Sequence, residues 1–168
     1  MTERPILLTK LFAQQAKLDQ RIHLQHHTSY LATQNDRILA FLVELSELAN
    51  ETRCFKYWSE KPASPPSMIL EEYVDGVHFL LSLGIALSVN VNEPFEQYPQ
   101  SSSNLTNQFL VVYDNALSFK QNSSLETYSI LMSNYLLLGR MLSFSIEEIE
   151  IAYYKKNKVN FERQDSHY

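Results

Sequence analysis

Glu44-Leu-Ser-Glu47-Leu-Ala-Asn50-Glu51 and, after a proline-rich connector, Glu71-Glu72-Tyr-Val-Asp75-Gly-Val-His78-Phe79 are the two segments on which the reading of this chain turns. Each carries two carboxylates three residues apart in an otherwise apolar run, Glu44 with Glu47 and Glu72 with Asp75. Spacing of i, i+3 sets both members of a pair on one face of a helix. Two such faces turned towards each other make a cage of four oxygen-bearing side chains. Like charges crowded out of water are costly unless a cation neutralises them. The pattern therefore predicts a divalent-metal site, and hard carboxylate oxygens with no competing Cys/His set suit Mg²⁺. A cage this acidic has room for more than one ion, a set that clamps polyphosphate and activates water for in-line attack. Di-iron bundles use carboxylate cages too, but they need Glu-x-x-His pairs, and the Glu-x-x-His pattern is absent from both segments.

The first pair lies in a helix expected over residues 33–55, apolar around most of its circumference and therefore suited to the middle of a bundle. Residues 56–66, KYWSEKPASPP, break that helix through Pro62, Pro65 and Pro66. They present Trp58 flanked by Lys56 and Lys61, readable as a cap on the core or as a loop over a charged, planar ligand. Ser67 is the expected N-cap of the second carboxylate helix, which runs towards Val89. Gly76 inside it costs about 1 kcal/mol relative to alanine, so it points to close packing or to room for a ligand. His78, taken alone, reads as a satisfied structural histidine.

Upstream, residues 5–22 form an expected helix with Pro5 in its first turn and Ile6, Leu7, Leu11, Leu18 and Ile22 at helical spacing. Gln14, Gln15 and Asp19 are its polar positions of interest, and residues 23–29, HLQHHTS, are expected as a solvated loop. Downstream, residues 90–104 read as a loop, and helices are expected over 105–121 and 124–142, the second opened by Ser123-x-x-Glu126. Ser145-x-x-Glu148 opens a last helix to about Asn157, after which residues 155–168 give way to a basic, amide-rich arm.

A chain of 168 residues with 45% apolar and 20% charged residues fits a single domain, 1–168, and three glycines and six prolines favour an all-α helical bundle. The net charge of −5 argues against a general nucleic-acid binder. Seven of the nineteen acids fall between Glu44 and Asp75, whereas Lys155, Lys156, Lys158 and Arg163 cluster near the end. That asymmetry suits an acidic metal site with a separate basic arm for phosphates. Cys54 is alone, which excludes an internal disulfide. With no leader pattern and no apolar run of ~18 residues, a cytoplasmic protein with no membrane partner is the expectation.

Five blocks in order resemble one family. They are Leu11-Phe12-x-x-Gln15-x-x-Leu18-Asp19-x-Arg-Ile22, Val43-Glu44-Leu-x-Glu47-Leu-Ala-Asn50-Glu51, Arg53-x-Phe55-Lys56-Tyr-Trp58-Ser, Leu70-Glu71-Glu72-Tyr-Val-Asp75-x-x-His78-Phe79 and Ala152-Tyr-x-Lys-Lys156-Asn157-x-x-Asn160-x-x-Arg163-Gln164-x-x-x-Tyr168. Together they resemble the dimeric, all-α dUTPases related to MazG-type nucleotide pyrophosphatases. Ser46 and Gly76 depart from the residues expected at their places but leave the ligand set intact.

The resemblance implies an all-α homodimer that hydrolyses dUTP, and dUDP as well; the unmatched residues 90–144 are where a regulatory protein partner would bind on this fold. It implies that Glu44, Glu47, Glu72 and Asp75 hold Mg²⁺, with Glu44 and then Glu47 as the base for the attacking water. Lys56, Lys61, Lys156 and Arg163 are the implied phosphate ligands, and the 155–168 arm closes over the substrate. Gln15, Trp58, His78, Phe79, Asn157 and Asn160 are the implied nucleoside contacts, with Gln15 and Asn160 as readers of uracil. A MazG-like pyrophosphatase acting on another dNTP such as dCTP, or a non-enzymatic regulator-binding protein on the same fold, are the competing readings.

Overall fold

Six helices organise the computed structural model, which describes residues 8–95 and 103–168. They are α1 (Thr9–His26), α2 (Gln34–Thr52), α3 (Pro66–Ala86), α4 (Leu105–Gln121), α5 (Leu125–Met141) and α6 (Ile146–Asp165). No strand occurs among the described residues, in line with the all-α expectation.

α3 is the hub, packed against α1, α2, α5 and α6, while α4 lies on α2 and α5. The hydrophobic pattern places α2 in the middle instead. The difference arises because α2 turns Leu39 (63% exposed) and Val43 (46% exposed) outward, whereas α3 buries Tyr73, Val74, Val77, Leu80 and Leu81. An apolar stripe on a helix is an interface, and which interface depends on neighbours that spacing does not name.

Buried tyrosines join α3 to α5. The Tyr135 hydroxyl donates to the Tyr73 carbonyl at 2.7 Å, and the Tyr73 hydroxyl returns a bond to the Tyr135 carbonyl at 3.1 Å. Their rings stack with centroids 4.6 Å apart. The Tyr128 hydroxyl donates to the Leu80 carbonyl at 2.8 Å. A buried phenol requires such a partner, since an unmade bond costs about 1–3 kcal/mol. Each phenol lies over a glycine: Tyr135 over Gly76, Tyr128 over Gly84, Tyr73 over Gly139, where a Cβ would collide with the hydroxyl. Gly76 therefore serves close packing, not a ligand.

Helix ends differ from expectation in informative ways. α1 continues through His23 and His26, and His27 closes it in the left-handed region (φ 51°), so most of the expected histidine loop is helical. α2 ends at Thr52, capped by Arg53 at φ 56°. α3 begins at Pro66 with Pro65 as N-cap, not Ser67, because a proline in the first turn forfeits no hydrogen bond. The α5 capping box is Ser124 with Thr127 rather than Ser123 with Glu126, and the Ser123 hydroxyl donates to the Phe119 carbonyl at 3.0 Å. The Ser145–Glu148 box stands as predicted.

α6 is helical to Asp165, so most of the segment expected to leave the helix as an arm continues it. Polar contacts hold these last turns against the end of α1: Arg21 pairs with Asp165 at 2.7 Å, and the His26 ring meets Gln164 at 3.0 Å. Pro5, Ile6 and Leu7 lie outside the described residues. No single helix among the described residues is long and apolar enough to cross a membrane.

Candidate active site

Antiparallel packing of α2 on α3 brings the two carboxylate faces together. Glu44, Glu72 and Asp75 each offer an oxygen, and these oxygens lie within 4.8 Å of one another. All three residues are half-buried, whereas Glu47 is exposed and stands outside the trio. The predicted cage of four is thus a group of three with Glu47 beside it. Burial pushes the Glu44 carboxyl up to about 7, and the charges of Asp75, Glu47 and Glu72 add to the effect. Glu72 is raised too, by burial and then by Asp75 and Glu47. Three hard oxygen donors, each destabilised as an anion, are what a divalent cation relieves, and the donor set fits one.

A protein cation already leans on this group. Lys156 of α6 donates to Asp75 Oδ2 at 2.8 Å and lies 3.5 Å from Glu71. Burial opposes the charge on Lys156, but the hydrogen bond and charge of Asp75 outweigh it and leave the ammonium raised above its ordinary value.

From the carboxylates a cleft of about 480 Å³ opens between α1, α2, α3 and α6. Glu44, Ala40, Arg37 and Asp36 line it along α2, a span of about 12 Å at 1.5 Å per residue. Asp75, His78, Phe79 and Ser82 line it from α3, and Lys156, Asn160, Arg163 and Gln164 from α6. The α6 residues recur at helical spacing, so a continuous helix brings Lys156, Asn160 and Arg163 to the cleft.

Gln15 lies in the cleft wall and is bonded at both ends. Its Nε2 donates to Asp19 Oδ1 at 2.8 Å. Its Oε1 accepts from the Tyr153 hydroxyl at 2.9 Å and pairs with His78 Nδ1 at 2.8 Å. The Tyr30 hydroxyl donates to Asp19 Oδ2 at 3.0 Å, and the His78 ring stacks on Tyr153 with centroids 4.2 Å apart. Burial, with the Lys156 charge behind it, pushes the His78 imidazole down to about 3, so the ring is neutral. Asn157 is buried behind this group, its amide donating to the Tyr153 hydroxyl at 3.4 Å, and does not line the cleft.

Gln15, Glu44, Asp75, His78, Phe79, Lys156, Asn160 and Arg163 therefore gather on one cleft. Lys56, Trp58 and Lys61 do not. Trp58 is 64% exposed, Lys56 sits 5.7 Å from the centroid of the Phe55 ring, and Arg53 holds the loop by donating to Ser59 and to the Lys61 carbonyl. Arg37 is a functional candidate that sequence reasoning passed over. It is 7% exposed, lines the end of the cleft away from the carboxylates, and donates to the Tyr30 carbonyl at 2.6 Å. No spacing marks it, since its burial depends on Tyr30 and Ser82 from other parts of the chain.

A comparison with curated proteins finds no match. A family model described as dUTPase matches residues 7–168, which span all six helices and every residue of the cleft. An all-helical chain with its carboxylates and cations on one cleft agrees with that match. The chain belongs to the all-α dUTPase family and is a dUTP diphosphatase.

Proposed function

We propose that the chain hydrolyses dUTP to dUMP and pyrophosphate in a Mg²⁺-dependent reaction and accepts dUDP as well. The observation that supports this reading is the gathering of the carboxylates Glu44 and Asp75 and the cations Lys156 and Arg163 on one cleft. Glu44, Glu72 and Asp75 hold the metal, joined by Glu47 from the adjacent turn. When bound, Mg²⁺ supplies positive charge against the phosphate oxygens. Glu44 orients the attacking water and takes its proton, as a carboxylate held beside the metal can. The bond between the α- and β-phosphoryl groups breaks, and pyrophosphate leaves with dUMP completing the balance. Lys156 turns from Asp75 to a phosphate oxygen, and Arg163 takes another. Phe79 offers an apolar face to the nucleoside. The last turns of α6 and the 53–65 loop, with Lys56, Trp58 and Lys61, close over the substrate.

A homodimer in the cytoplasm completes the proposal. Leu39 and Val43 on α2 and Leu110 and Leu117 on α4 are exposed on adjoining helices, which the Ser46 and Tyr113 hydroxyls join at 2.6 Å. Exposed apolar side chains arrayed this way suit a second copy. Sedimentation at micromolar concentration reports the state directly, and a monomer there removes this part.

The activity is tested by a pyrophosphate-release screen of the purified protein against all dNTPs and NTPs with Mg²⁺. dUTP should be strongly preferred. Comparable rates on dCTP or UTP overturn the substrate, and no rate on any nucleotide overturns the reading.

A further inference from the structure

The buried polar group beside Gln15 contains one atom with nothing to bond. His78 is 5% exposed, and its Nε2 has no hydrogen-bond partner among the described residues. Orphaned buried acceptors are rare and call for an explanation. His78 lines the cleft between the carboxylates and Arg37, so its ring borders the space a nucleotide would fill, although Nε2 itself is buried.

The neighbours determine which ring nitrogen carries the proton. Asp19 accepts only, so the Gln15 end 2.8 Å from it must be the amide nitrogen. Turning the amide over would set two oxygens against each other. Gln15 Oε1 therefore faces Tyr153 and His78, and both must donate to it. The Tyr153 hydroxyl can, because the Asn157 amide donates to its oxygen. In a neutral ring, a proton on Nδ1 leaves Nε2 as a bare lone pair. Tyr30 holds the chain from behind by donating to the second oxygen of Asp19.

We propose that Asp19 and Tyr30 are positioning residues that act through Gln15 to lock His78 in the Nδ1–H tautomer, so that Nε2 accepts a hydrogen bond from the base N3–H. This rests on the dUTP reading above. It moves the discriminating acceptor from Gln15, whose carbonyl is already filled by two donors, to His78. Uracil carries a hydrogen on N3, whereas cytosine presents a lone pair there and meets the His78 lone pair head on. A site with a buried group left unpaired by the wrong ligand discriminates strongly.

The experiment is ¹⁵N NMR of ring-labelled histidine in the metal-free wild type, Asp19→Asn and Tyr30→Phe, with a His78→Gln sample to assign the signal. Protonated and bare imidazole nitrogens are well separated in shift, so the tautomer is read without turnover. The wild type should show bare Nε2 and protonated Nδ1. Asp19→Asn, whose amide can donate as well as accept, should populate both tautomers, and Tyr30→Phe should do so less. In the same samples, Asp19→Asn should lower the ratio of kcat/KM for dUTP over dCTP roughly tenfold or more, with Mn²⁺ affinity unchanged. A wild-type Nε2–H signal overturns the proposal, as does an unaltered tautomer and ratio in both variants. If Asp19→Asn does not fold, Tyr30→Phe alone decides. Absence of wild-type dUTP turnover would instead strike the activity, and the NMR result still stands by itself.

Discussion

Two regions of the cleft are built on opposite principles. At the carboxylate end, Glu44, Glu72 and Asp75 are crowded, half-buried and destabilised as anions, with Lys156 as partial relief. Around Gln15, by contrast, the polar atoms are paired in a chain running from Tyr30 through Asp19 to Tyr153 and His78, with one acceptor left over. The first arrangement stores electrostatic cost until a cation arrives. The second is already paired before any ligand arrives. Metal capture and recognition therefore place different demands on the same four helices.

The sharpest way to break this contrast is Glu44→Gln, which keeps shape but removes both charge and base. Steady-state assays should show kcat lowered by about 10²–10⁴-fold, with the His78 tautomer untouched. Near-normal hydrolysis would overturn the assignment of Glu44. Next in size is Gly76→Ala, which drives a methyl into the Tyr135 hydroxyl and disturbs α3, the helix both regions share. Urea unfolding should show a loss of about 1–3 kcal/mol from overpacking, despite the better helix propensity of alanine. Unchanged stability would mean that α3 and α5 are not as close as described.

The stored cost at the carboxylate end also has a pH signature. Glu44 has a folded pKa near 7, above its ordinary 4.5, so the neutral form is favoured on folding. Its contribution is fully present below the unfolded value and is lost as pH rises through the folded one. The melting temperature of EDTA-treated protein should therefore fall between about pH 5 and about pH 8. Mg²⁺ should cancel much of that fall, and Glu44→Gln should flatten it; a flat wild-type profile counts against the crowding. The smallest effect belongs to Lys156→Gln. Calorimetry of the nucleotide-free protein should show metal affinity raised a few-fold, because the competing ammonium has gone from Asp75. Lower affinity would make Lys156 a support of the cage rather than a rival to the ion.

The same contrast explains what could be read from the chain alone. Glu44 with Glu47, and Glu72 with Asp75, are local repeats, and three-residue spacing on a helix is visible in one dimension. That Glu47 stays exposed was not visible, because the spacing orders residues along a face but leaves the packing angle of α2 on α3 open. Gln15 and Asp19 stood out as polar positions, yet the bonds from Gln15 to His78 and Tyr153 bridge 63 and 138 residues of chain. No periodicity encodes such pairs. The glycines tell the same story. Gly76 could be weighed as packing or ligand space, but its meeting with Tyr135 depends on the register of α5 against α3. The helical end of α6 was obscured by its composition, since lysines and amides on one side of a helix resemble a frayed terminus until α1 supplies a surface.

Trp58 is the single tryptophan of the chain, and it stands on the exposed loop rather than in the core or the cleft. The intrinsic emission of the unmodified protein is therefore a private signal from that loop. Nucleotide added with metal should shift the emission to the blue and protect it from a soluble quencher if the loop folds down. An unmoved spectrum under saturating nucleotide would leave the lysines of that loop without a part in binding. The protein thus carries its own optical probe for a loop that lies outside the cleft.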